Sequence, residues 1–140
     1  MIDVSYLAPE DRQTLGEDAR YTEQILSKQV TVFFRPGNRD CAFDSRCIRK
    51  DSTTGVSYIG IIAEYGNHAE KRPPRLSQRL PCLIKEELVI PFTELKASDF
   101  AGAYQEINSS QNLLAYFLEK YQLAEVPAVV TRYVVQYINQ

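Results

Sequence analysis

The stretch FFRPGNRDCAFDSRCIRK, Phe33 to Lys50, decides how the fold is predicted, because it contains the first turn between two candidate strands. It holds two of the three cysteines and four of the arginines. Three runs rich in β-branched or aromatic residues, 30–35, 40–50 and 56–65, are separated by the turn compositions PGN and DSTTG. The pattern predicts the strands of an antiparallel meander rather than a reaction centre.

The register of this meander follows from the alternation of side chains along a strand. A four-residue turn places Phe34 opposite Cys41, and a second turn at 51–55 places Cys47 opposite Ile59. One continuous apolar face results, and helices are expected to pack on it. The predicted core face consists of Val30, Val32, Phe34, Cys41, Phe43, Cys47, Ile59, Ile61 and Ala63.

The opposite face of the predicted sheet mixes apolar and basic side chains. It is neither a clean solvent face nor a clean core, which indicates a surface used for contact. Arginines of the following loop extend it. The predicted binding surface consists of Phe33, Arg35, Arg46, Ile48, Lys50, Tyr58, Ile62, Arg72 and Arg75.

The remaining segments predict helices around this sheet. Residues 9–27 have a helical apolar stripe and a proline at the first position, and residues 67–81 predict a loop. Residues 82–92 predict a fourth strand, or two short strands around Glu86 and Glu87, ended by Pro91. Ser98 is a candidate N-cap for a helix to about residue 122, with an amphipathic second half that "NSS" (108–110) could separate from the first. Pro127 introduces a last helix, whose β-branched content also fits a strand.

The predicted fold class is therefore α+β. One helix precedes an antiparallel meander of about four strands, and two C-terminal helices pack on one face, all within a single globular domain, 1–140. The order α-β-β-β-β-α-α is similar to the ubiquitin-conjugating and RWD-type fold, and the proline-containing loop before the fourth strand adds to this likeness. The same order also suits small secretion-chaperone folds. A shared topology does not give function.

Charge and cysteine usage bound the class of protein. Residues 29–85 hold ten Lys/Arg against five Asp/Glu, a net of +5, which leaves −7 for the rest of a chain with net charge −2. Three cysteines without C-x-x-C spacing argue against a disulfide framework. No apolar run reaches the ~20 residues that span a bilayer, and the N-terminus lacks signal-peptide features, so a cytoplasmic protein is expected.

The sequence does not predict a metal site, a cofactor or a catalytic centre. Six residues of strand hold Cys41 and Cys47 about 20 Å apart, too far for one zinc ion. The segment GNRDCAF resembles the nucleophile segment of OTU-type deubiquitinases, but Asn38 and Arg39 depart from that pattern. The only histidine, His68, is expected in an exposed loop, and no glycine-rich phosphate loop is present.

These observations favour a non-catalytic protein-binding module, such as an adaptor, chaperone, inhibitor or immunity-type protein. The alternative is a nucleic-acid-binding or regulatory module that uses the basic residues 29–85, since exposed aromatics and cations bind single strands. A homodimer through the C-terminal helices is a further hypothesis. It rests on the tyrosines of these segments, Tyr104, Tyr116, Tyr121, Tyr133 and Tyr137.

Overall fold

The computed structural model describes residues 14–17, 21–38, 57–64, 70, 75–121 and 123–138, and the structural statements below refer to these. The strands are hydrogen-bonded in the order β1-β3-β4-β5-β2. Two compact units divide the chain, one of residues 1–23, 40–84 and 136–140, the other of residues 24–39 and 85–135. The elements in chain order are β1 Thr14–Glu17, α1 Thr22–Leu26, β2 Val32–Pro36, β3 Ser57–Glu64, β4 Arg75–Pro91, the 3-10 turns Phe92–Glu94 and Ala97–Phe100, α2 Ser110–Tyr121 and β5 Val129–Tyr137.

In the first unit, β3 lies between β1 and the first half of β4. It pairs with β1 in parallel and with β4 in antiparallel orientation. The side chains of Ile59 and Ile61 are buried, whereas that of Tyr58, the residue before Ile59, is exposed. The predicted alternation of side chains along this strand is therefore confirmed at these three residues.

In the second unit, β2 pairs in antiparallel orientation with β5, and all five residues of β2 are buried. Neighbouring residues point to opposite faces, so both faces must be covered. The Phe33 ring meets Tyr104 edge-on at 6.0 Å, and the Phe34 ring lies 5.4 Å from Phe100. A core of aromatic residues therefore encloses this strand on both sides.

The helix α2 begins at Ser110, within the segment NSS (108–110) that could divide the predicted helix in two. The Ser109 hydroxyl accepts the backbone N–H of Asn112 at 3.2 Å and caps the first turn. Leu113 and Phe117, one turn apart, are fully buried, as the amphipathic pattern predicts.

The prediction that this helix begins at Ser98 is wrong. Only a short 3-10 turn forms there, and it ends before Gly102, which has a φ of +88°. The carbonyl of Gly102 accepts the backbone N–H groups of Thr31 (2.8 Å) and Val32 (3.1 Å). These long-range hydrogen bonds hold the chain in a conformation that a helix does not allow.

The predicted meander is also wrong. At Ile59 and Ile61, both edges of β3 are occupied, one by β1 and the other by β4, rather than one edge by the preceding strand of a meander. β2 pairs with β5, the last strand described, rather than with β3, the next strand described. Residues 40–50, the predicted second strand, lie outside the described residues.

Two further segments differ from the predicted elements. Thr14–Glu17, within the predicted first helix, form a strand in which Gly16 lies beside Gly60 of β3, and α1 keeps only five helical residues. Residues 75–81, expected in a loop, begin the 17-residue strand β4. The predicted fourth strand is confirmed as the second part of β4.

The predicted last helix is strand β5, in which β-branched residues predominate. Hydrogen bonds from Ile138 to Pro81 (3.0 Å) and from Phe92 to Ala128 (2.9 Å) show that β4 and β5 run antiparallel. Instead of two C-terminal helices behind a meander, the described residues thus form an antiparallel β3-β4-β5-β2 sheet with β1 parallel at one edge, and α2 is the one helix longer than two turns. The prediction of a single domain stays a prediction.

Candidate binding surface on strand β4

The second half of β4 exposes side chains on both faces. Cys82 and Ile84 are buried, but the five residues from Lys85 to Val89 are all exposed. Leu88 is 48% and Val89 44% exposed, and these neighbours point to opposite faces of the strand. Two large apolar side chains are thus held in solvent on a hydrogen-bonded element rather than on a loop.

A hollow of about 480 Å³ lies at the end of this strand, lined by Ile90, Glu94, Lys96 and Asp99. Leu88 and Ile90 share one face of β4, because they are two residues apart. The volume is within the range of ligand and side-chain sites, which runs from about 300 to 1,000 Å³. We call Leu88, Ile90, Glu94, Lys96 and Asp99 the β4 surface, and Val89 lies on the opposite face of the strand.

The turn that lines the hollow is fixed by hydrogen bonds. The backbone N–H of Lys96 donates to Asp99 Oδ2 at 2.8 Å, and the N–H of Asp99 donates to the Lys96 carbonyl at 2.9 Å. Arg132 Nε donates to the Asp99 carbonyl at 2.9 Å, and its Nη1 lies 3.2 Å from Glu86 Oε1. One arginine of β5 therefore connects the turn to β4, and the hollow has a defined wall.

The residues of the predicted binding surface are separated by the structure. Phe33 and Arg35 are each only 1% exposed, and Arg35 Nη1 donates to the Phe34 carbonyl at 3.0 Å, so neither side chain is available to a partner. Tyr58 and Arg75 are exposed. Ile62 lies in β3, but its side chain is not described. Arg46, Ile48, Lys50 and Arg72 lie outside the described residues, and their part of the surface stays a prediction.

A smaller basic and aromatic face exists in the first unit. Tyr58 pairs with Pro81, and Gly60 pairs with Arg79, so the side chains of Tyr58 and Arg79 lie diagonally on one face of the sheet. Tyr58 is 37% exposed, and Arg79 is also exposed. This face retains part of the predicted arrangement of an aromatic ring beside a cation.

The described residues do not form a metal or thiolate centre. No group of three or more His, Cys, Asp or Glu side chains converges in the described ranges. Burial raises the pKa of the Cys82 thiol from 9.0 to about 12, so the thiol is neutral and unreactive at pH 7. Cys41, Cys47 and His68 lie outside the described residues.

Of the two C-terminal helices through which a homodimer was predicted, the first forms in part as α2, whereas residues 129–137 form a strand, and the homodimer stays a prediction. The tyrosines on which the dimer hypothesis rests are largely in the interior, with Tyr104, Tyr116 and Tyr133 between 0 and 6% exposed.

No helix among the described residues has the length and apolar composition needed to cross a membrane.

Sequence reasoning missed the β4 surface. The segment KEELVIP, residues 85–91, was predicted only as part of a strand. Its apolar residues are typical of a buried strand, and the sequence has no signal that this part of the strand is uncovered.

Comparison with known proteins gives a fold likeness. No family model matches the chain. None of the curated proteins matches it. The crystal structure of protein EF3133 from Enterococcus faecalis V583, described by the family model DUF984, is similar with a TM-score of 0.51. The match covers 85% of this chain and 70% of that chain at 13% sequence identity, which shows a shared fold and no more.

Proposed function

We propose that this protein is a non-catalytic binding module that contacts another protein through the β4 surface. The observation that carries the proposal is the exposure of Leu88, at 48%, on a strand with hydrogen bonds to β5 at its end. Exposed apolar side chains beside a hollow with a polar rim are typical of protein-interaction sites.

Leu88 supplies affinity, and the rim of the hollow supplies orientation. Covering the exposed half of one leucine contributes about 1 kcal/mol. Because β4 is a rigid element, little conformational entropy is lost when a partner covers it. The hydrogen bonds of Arg132 keep the turn of the hollow in place before binding.

Substitution of Leu88 tests this proposal. The tagged protein is used to capture partners from its host, with wild type, Leu88→Glu and Leu118→Glu compared at equal folded concentration. Leu118 on α2 is 45% exposed and is the matched control. We expect Leu88→Glu to lower the yield of a specific partner about tenfold or more, because a carboxylate is forced into an apolar contact. Equal loss in both variants, or no loss in Leu88→Glu, contradicts the proposal.

A second candidate function, nucleic-acid binding, is favoured by the positions of Tyr58 and Arg79. An exposed ring beside a cation suits base stacking together with a phosphate contact. The test is fluorescence anisotropy with a labelled single-stranded oligonucleotide. This function predicts binding that weakens steeply with salt and is reduced by Tyr58→Ala and Arg79→Ala, but not by the control Lys85→Ala. Binding without these dependences contradicts it.

A further inference from the structure

We draw no further inference here: the strongest candidate, the exposed face of the first unit on which Tyr58 of β3 lies diagonally to Arg79 of β4, belongs to the site already described for nucleic-acid binding.

Discussion

Arg132 Nε of β5 donates to the carbonyl oxygen of Asp99 at 2.9 Å, which connects a strand to the turn that lines the hollow. The arginine side chain is 14% exposed, whereas Glu86, with which its Nη1 forms an ion pair, is 43% exposed. The two contacts of Arg132 therefore differ in environment, and the contact with the Asp99 carbonyl is the better shielded one. The order of the β4 surface depends on this shielded hydrogen bond.

Removing the guanidinium should destabilise the protein more than removing its ionic partner. Arg132→Met loses a charge-assisted hydrogen bond and should lower the free energy of unfolding by about 2 kcal/mol. Glu86→Gln loses only a partly solvated ion pair and should cost less than about 1 kcal/mol. Urea denaturation followed by circular dichroism measures both. Equal losses would show that Arg132 does not stabilise the turn.

Gly102 should be more sensitive to substitution by alanine than Gly37. A Cβ at Gly102 would lie 2.7 Å from Thr31 Oγ1, and the residue has a φ of +88°. We expect Gly102→Ala to lower the free energy of unfolding by about 3 kcal/mol, from left-handed strain together with this steric clash.

Gly37 is the matched control for this substitution, because its φ is +82° but nothing lies within 4 Å of a Cβ there. Gly37→Ala should cost only about 1 kcal/mol. Adding Thr31→Ala to Gly102→Ala should recover part of the loss. Similar costs at the two glycines in denaturation would contradict the close approach of Gly102 to Thr31.

Removal of the Ser57 hydroxyl should stabilise the protein. Its side chain is fully buried, and Ser57 Oγ has no hydrogen-bond partner. Ser57→Ala is expected to raise the free energy of unfolding by about 1 kcal/mol, because a buried unsatisfied polar group is unfavourable. Ser77→Ala, at an exposed hydroxyl with one long hydrogen bond of 3.4 Å, should change little. A destabilised Ser57→Ala protein would show that the hydroxyl has a partner.

The free energy of unfolding should depend on pH through the Cys82 thiol, and the sign of this dependence follows from the raised pKa. Burial raises its pKa from 9.0 to about 12, so between these values the unfolded chain loses the proton and the folded chain keeps it. The contribution of Cys82 to stability is therefore complete below about pH 9 and falls by up to about 1.4 kcal/mol per pH unit above it.

The comparison that isolates this effect is wild type against Cys82→Ala, with free energies of unfolding measured from pH 8 to 10.5. The stability advantage of wild type should shrink as the pH rises above 9. In addition, the native thiol should react with a disulfide reagent only at the rate of unfolding. A pH-independent difference, or rapid thiol reaction in the folded protein, would contradict the buried position of Cys82.

The local pattern of the sequence predicts the strand β3 and the buried face of α2. In β3, alternation distinguishes Ile59 and Ile61 from Tyr58, because this strand has one buried face and one exposed face. In α2, Leu113 and Phe117 repeat at helical spacing. In these segments, the residues that the local periodicity assigns to the core are the ones that tertiary packing buries.

The local sequence pattern does not predict segments whose structure depends on contacts with residues distant in sequence. The alternation of side chains along the strand assigns Phe33 and Arg35 to an exposed face. In the structure, that face of β2 is covered, as the contact of Phe33 with Tyr104 shows. Nothing local indicates that Gly16 pairs with Gly60, since parallel pairing joins distant segments. The β4 surface could not be predicted either, because apolar residues of an exposed strand have the same pattern as those of a buried one.

The most direct test of the central claim is the affinity of a captured partner for Leu88→Glu and for two controls outside the β4 surface. The controls are Val89→Glu, on the opposite face of β4, and Val126→Glu, at residues that are 44% and 53% exposed in wild type. Biolayer interferometry should show a Kd at least about tenfold higher for Leu88→Glu and unchanged for both controls. Unchanged affinity of Leu88→Glu, with its fold intact by circular dichroism, would show that the partner binds elsewhere.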